Sequence, residues 1–126
     1  MLIVFVVAIG GAIGSVLRYW FSGAAYRLFG SSFPWGTLTV NLLGSALIGF
    51  LFAAFERSAA HPATRMFVMM GILGGFTTFS GFSIENLNLL RDGQVRAAVM
   101  NILVSNVLGI ALAFGGYWLY KNVSTW

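Results

Sequence analysis

The chain has 126 residues, of which 59% are hydrophobic and only 8% charged, with a formal net charge of +4. That composition excludes a soluble domain and points to an integral membrane protein, and the sparse, unclustered cations give no footprint for a nucleic acid. There is no cysteine, His61 is alone, and Glu56, Glu85 and Asp92 are the only carboxylates, so disulfides, thiol chemistry and a typical catalytic or metal-ligating cluster are excluded.

Four apolar segments follow one another, at about Leu2–Phe21, Trp35–Phe55, Arg65–Leu90 and Val95–Tyr120. Each is near the ~20 residues a membrane helix requires. Together they read as one all-α, four-helix transmembrane domain over residues 1–126. Short loops make neighbouring helices antiparallel and put both termini on one side. Leu2–Ala12 also has the apolarity of a signal peptide, but no Lys or Arg precedes it and the apolar run continues beyond it.

In the first segment Gly10 and Gly14 form a small-xxx-small pair suited to close helix packing. Arg18 stands beside Tyr19 and Trp20. Spacing alone favours an interfacial belt there, with Arg18 snorkelling to headgroups, over a cation at the mouth of a polar pathway. A loop is expected over 22–34, and Pro34 and Trp35 open the second segment. Thr37, Asn41, Gly44, Ser45 and Ile48 recur there at helical spacing. A buried amide in lipid must face protein or water, so Asn41 is either interhelical glue or the lining of a pathway. Glu56-Arg57 reads as a solvated helix end, and His61, which precedes Pro62, as a turn residue without chemistry.

The third segment is unlike an ordinary membrane helix. It carries Gly74-Gly75-Phe76-Thr77-Thr78-Phe79-Ser80-Gly81-Phe82-Ser83, followed by Ile84-Glu85-Asn86. The glycine pair predicts a broken helix, with freed carbonyls that membrane depth tolerates only beside protein or a water-filled cavity. A glycine-interrupted span of this kind is a candidate ion site. Phe76, Phe79 and Phe82 fall at intervals of three. Such a stripe ordinarily packs, but phenyl edges carry positive charge and can weakly stabilise an anion while Thr and Ser hydroxyls donate hydrogen bonds to it. In the fourth segment Asn101, Ser105 and Gly109 share a face, a second polar track opposite the Phe stripe. Trp118, Tyr120, Lys121 and Trp126 make an interfacial end.

The cations give almost no preferred orientation. Arg57, Arg65 and Lys121 fall on one side; Arg27, Arg91 and Arg96 fall on the other, with Arg18 near the boundary. Two oppositely inserted copies can therefore pair about an axis in the membrane plane.

These residues resemble a known family. The run from Gly74 to Glu85 looks like the signature of the Fluc (CrcB) fluoride channels. Gly36-Thr37-Leu38-Thr39-Val40-Asn41-Leu42-Leu43-Gly44 and Gly10-Gly11-Ala12-Ile13-Gly14-Ser15-Val16-Leu17-Arg18-Tyr19 are similar to two further family motifs. The resemblance implies a bacterial inner-membrane, antiparallel dual-topology homodimer that exports fluoride passively through two pores, with a structural sodium ion at its centre. It implies that Phe79 and Phe82 line the pore, that Asn41 and Ser105 lie on the fluoride pathway, and that the Thr78, Ser80 and Ser83 hydroxyls contribute to it. Arg18 and Glu85 would stand at a vestibule, and the Gly74 and Thr77 carbonyls would hold the sodium. Gly81 departs from the Thr that relatives often carry, and Gly109 from a Ser, which thins the hydroxyl track. The competing reading is a small four-helix, proton-coupled cation or drug exporter. Such a carrier needs a carboxylate deep in a helix. The first segment has none, and Glu85 reads as lying toward a helix end. A membrane assembly protein without transport would not need the glycine–hydroxyl–phenylalanine pattern.

Overall fold

The structure, a computed structural model, describes residues 1–124. All its regular elements are helical, and they form four spans long and apolar enough to cross a membrane. The first is α1 (Leu2–Phe29) and the second α2 (Trp35–Glu56). The third, Pro62–Arg91, is composite: α3 (Pro62–Arg65), a π-helical stretch (Met66–Leu73), α4 (Gly74–Phe76) and α5 (Phe79–Arg91). The fourth is α6 (Val95–Val123). Trp126, expected at the interfacial end, lies outside the described residues.

Local chemistry sets the ends. Gly30, at φ 86°, stops α1 and returns its N–H to the Tyr26 carbonyl at 2.8 Å. Pro62 supplies a first-turn residue that needs no donor, and His61 Nδ1 accepts the Ala63 N–H at 3.0 Å. The turn role expected of His61 is thus a helix cap.

The first span is longer than expected. The Ser22–Phe29 segment continues α1, because Ala24, Ala25, Tyr26, Leu28 and Phe29 extend its apolar surface, and the connection shrinks to residues 30–34. Arg18 consequently lies roughly 16 Å inside the end of α1, at about 1.5 Å rise per residue.

Packing follows the small residues. α1 lies along the π-helical stretch and α4, while α2 lies along α6. A Cβ on Gly10 would come within 2.6 Å of the Phe67 carbonyl oxygen, and one on Gly14 would overlap the Ile72 carbonyl. The Gly10–Gly14 pair is therefore a backbone-to-backbone contact with the third span.

The break in the third span falls at Thr77-Thr78 and not at the expected Gly74-Gly75. Gly74 is helical, at φ −63° and ψ −37°, whereas Thr77 (φ −87°, ψ 158°) and Thr78 (φ −151°, ψ 118°) are extended. The glycines serve proximity instead: a Cβ on Gly75 would stand 2.6 Å from the Gly11 carbonyl oxygen. The break also removes Phe76 from the face of Phe79. Phe76 is buried and meets Phe21 edge-on at 5.6 Å.

Candidate functional site

The extended pair Thr77-Thr78 leaves backbone groups without helical partners, and Asn41 of α2 takes up those of Thr78. Its Nδ2 donates to the Thr78 carbonyl at 3.0 Å, and its Oδ1 accepts the Thr78 N–H at 2.8 Å. One side-chain amide thus replaces two backbone partners. Thr78 then caps α5, its Oγ1 accepting the Gly81 N–H at 2.9 Å and lying 3.2 Å from Ser80 Oγ. In an unbroken helix the Thr78 N–H would reach the Gly74 carbonyl, and the Gly81 N–H the Thr77 carbonyl. Both donors are directed elsewhere.

Beside this break lies a hollow of about 310 Å³ lined by residues of α2 and the third span, including Asn41, Ser45, Gly74, Thr77, Thr78 and Phe79. Phe79 is 78% exposed, with its ring centroid 5.5 Å from that of half-buried Phe82 at 39°. Ser83 Oγ donates to the Phe79 carbonyl at 3.0 Å, so its proton is used within α5. Asn41 therefore both ties helices together and lines the hollow, since Nδ2 carries a second N–H beyond the one given to Thr78.

A second hollow, of about 320 Å³, is lined by Ser15, Arg18, Tyr19, Ser22, Thr37, Val40, Thr78 and Gly81. Arg18 is half-buried in it and forms no ion pair among the described residues. A cation surrounded by hydroxyls inside a span is costly unless it has work there. Thr78 is common to both hollows, so a polar line runs from Arg18 past the break to Asn41 and Phe79.

Glu85 sits midway along α5, not at a helix end. Its Oε1 accepts from Thr37 Oγ1 at 2.6 Å and from Tyr26 Oη at 3.0 Å, while Oε2 is buried with no partner. It borders a third hollow, lined also by the polar residues Ser31, Ser32, Asn88, Asp92 and Gln94. Tyr26 was hidden from sequence reasoning by the loop expected around it.

The fourth-span track is present, but away from the Asn41 hollow. Ser105 is not among that hollow's lining residues. It donates to Asn101 Oδ1 at 3.3 Å, Asn101 Nδ2 donates to Asn86 Oδ1 at 3.1 Å, and Asn86 Nδ2 donates to the Phe82 carbonyl at 2.9 Å. Asn86 is buried. Its i,i+4 spacing from Phe82 was the available signal. Gly109 is buried, and a Cβ there would stand 3.6 Å from Ser45 Oγ.

The chain is similar to known proteins over nearly its whole length. The chain is 45% identical over 125 residues to the "Fluoride-specific ion channel FluC" of Parabacteroides distasonis, covering 99% of this chain and 98% of that protein. It is 48% identical over 122 residues to the protein of the same name from Aquifex aeolicus, covering 96% and 98%. To that of Magnetococcus marinus it is 50% identical over 111 residues, covering 87% and 90%. The family model described as CrcB-like protein, Camphor Resistance (CrcB), matches residues 5–117, a stretch that begins in the first span and ends well inside the fourth. The chain belongs to the CrcB-like family of multi-pass membrane proteins.

Proposed function

We propose that this protein is a fluoride channel, passing fluoride down its gradient along the line Arg18–Thr78–Asn41–Phe79. The observation that carries the reading is the polar line itself: an unpaired guanidinium, threonine hydroxyls and an amide N–H inside a membrane span, ending on the exposed Phe79 ring beside the half-buried Phe82 ring. Fluoride holds its hydration shell tightly. Many weak donors can replace that shell without trapping the ion, and phenyl edges add a diffuse positive field. Among the described residues no ring of charges surrounds the path, which suits passage better than capture. The names of the relatives support the same ion.

The functional unit is an antiparallel homodimer inserted in both orientations. Asn41, Ser45, Thr77 and Thr78 line a hollow on one side of the monomer, and facing lipid there would leave polar groups without partners. A second, inverted copy covers them, and the near-equal cation distribution permits that inversion. The two-fold axis then repeats the path, giving two pores. A sodium ion fits at the dimer centre. The Gly74 and Thr77 carbonyls have lost their helical donors, and hard carbonyl oxygens suit a hard cation. Two such carbonyls from each copy would hold it, and its chemistry is structural: it joins the two broken spans. Replacing sodium by a bulky organic cation is expected to shift the protein toward monomer, read by crosslinking or sedimentation in detergent. A dimer population independent of sodium would remove the ion from this role.

Glu85, half-buried with one unpartnered oxygen, is the observation that favours proton-coupled cation export as a second reading. Purified protein in liposomes separates the two. The channel reading expects fast fluoride efflux, indifferent to an imposed pH gradient, with chloride retained; export would instead respond to the gradient and leave fluoride inside. Within the channel reading, Phe82→Ile is expected to cut fluoride flux several-fold while the dimer persists, in keeping with the ~0.5–1.5 kcal/mol carried by aromatic-edge geometry. Unchanged flux would take that ring out of the pathway.

A further inference from the structure

A groove at the start of the second and fourth spans is apolar along its length and cationic at its mouth. α2 and α6 both begin on the membrane surface that carries the 30–34 connection, so their first turns lie near one level. Between them is a hollow of about 360 Å³ whose lining includes Ser32, Trp35, Leu38, Arg96, Met100 and Val104. Arg96 is exposed in the first turn of α6, and among the described residues it makes neither an ion pair nor a side-chain hydrogen bond. From Arg96 the lining runs roughly 12 Å along α6 to Val104, at about 1.5 Å per residue, and meets no further charge. Trp35 packs on Phe33 at 4.9 Å and on Phe29 at 5.5 Å, an aromatic cluster of the kind that sits at headgroup level.

An unpaired guanidinium over an apolar groove fits an amphiphile, with an anion for the charge and a chain for the groove. The protein itself has no anion to give. Glu56 accepts from Tyr117 Oη at 3.1 Å and pairs with Lys121 at 3.6 Å. Glu85 is held by Thr37 and Tyr26, and Asp92 lines the Glu85 hollow instead. In the inverted dimer a second copy carries its Asp92 to the opposite membrane surface and brings only the committed Glu56 to this level. We propose that the groove binds an anionic phospholipid of the bilayer. Arg96 holds its phosphate, the Ser32 hydroxyl is a second donor, and one acyl chain lies along Leu38, Met100 and Val104. A guanidinium matches phosphate oxygens as a two-pronged fork, and basic pockets between membrane helices hold anionic headgroups in this way. No carboxylate borders the groove to receive a choline or ethanolamine cation, so an anionic headgroup wins over a zwitterionic one. The inference uses the inverted dimer but not the identity of the ion that passes.

Trp35 can report the occupant. Trp20→Phe, Trp118→Phe and Trp126→Phe together leave it as the single tryptophan. The full chain in phosphatidylcholine vesicles is titrated with phosphatidylglycerol brominated on its acyl chains, which quenches indole on contact, and separately with brominated phosphatidylcholine. The phosphatidylglycerol is expected to quench Trp35 at a roughly fivefold lower mole fraction, the worth of one cation near a membrane surface. Arg96→Gln is expected to erase that preference, and added salt to weaken it. Arg91→Gln removes an exposed cation from the same surface but outside the groove, and is expected to leave the preference unchanged. If the triple variant does not fold, the wild-type tryptophans stay and heating in detergent replaces quenching. Phosphatidylglycerol is then expected to raise the unfolding midpoint above that in phosphatidylcholine only while Arg96 is present. Equal action of the two lipids, a preference that survives Arg96→Gln, or one lost equally in Arg91→Gln overturns the lipid site. A Trp35 that no brominated lipid reaches also overturns it, and gives the groove to a second copy. Fluoride efflux is not the readout, so a failure of the channel reading leaves these outcomes unchanged.

Discussion

Asn41→Leu is expected to lower the stability of the folded protein by about 2–5 kcal/mol and to reduce fluoride flux per folded channel. The leucine matches the amide in bulk but neither donates nor accepts. It strands the Thr78 N–H and the Thr78 carbonyl together, at a depth where water is scarce. Each stranded buried group costs about 1–3 kcal/mol, and the two losses fall on the same residue. Thr78 is also the cap of α5, so disorder there spreads to Phe79 and Phe82. Denaturation in detergent, followed by loss of the dimer peak, measures the first part; liposome efflux normalised to surviving dimer measures the second. Asn41→Asp separates the contributions. It keeps an acceptor for the Thr78 N–H, sets a second carboxylate oxygen against the Thr78 carbonyl, and adds negative charge to the anion's path, so its flux is expected to fall below that of the leucine variant. A wild-type unfolding midpoint for Asn41→Leu would mean that the Thr78 backbone finds other partners, and the account of the break would fail.

The same residue shows what could be read in the chain and what could not. Hydropathy delivered four spans and their antiparallel order, since apolar length is a local property. The third span was recognisable as broken, because glycines, hydroxyls and phenylalanines replace the aliphatic residues expected there. The place of the break was not legible. Glycine weakens an isolated helix, yet within a packed membrane helix its lack of a side chain serves contact, as Gly75 does against Gly11. The helix stops where its backbone finds better partners, and those are Asn41, on a different span, and the Thr78 hydroxyl. Asn41 could be narrowed to glue or the lining of a pathway, and it ties two spans together while bordering a hollow. The contacts of Asn86 were hidden for a related reason. Beside Glu85 it looks interfacial, and only the packing of α5 on α6 buries it against Asn101. The end of α1 was lost to composition: Ser22, Gly23 and Arg27 read as loop residues, though the apolar surface around them continues for two further turns. That misreading also put Arg18 near the end of its helix and hid Tyr26 from view.

Arg18→Gln is the sharpest test of whether Arg18 serves the path. A guanidinium in an interfacial belt contributes packing and headgroup contact, and its loss should act on stability at any ionic strength. Arg18 instead lies inside α1, in a hollow that shares Thr78 with the one at Asn41, and carries an unneutralised charge. A positive charge at the mouth of a narrow path raises the local concentration of anions, and low-dielectric walls focus that field. At about 6 Å and an effective dielectric between that of a protein surface and water, one charge is worth roughly 1–2 kcal/mol, or about tenfold in local fluoride. Fluoride flux in Arg18→Gln is therefore expected to fall roughly tenfold at low fluoride and low salt. The deficit should narrow as inert salt is added, because the screening length shrinks from ~30 Å at 0.01 M to ~10 Å at 0.1 M. Arg18→Lys keeps the charge and should keep most of the flux. Flux measured across a salt series in liposomes decides the matter. A deficit of the same size at every ionic strength, shared by the lysine variant, would return Arg18 to a structural role and leave the path without its cationic entrance.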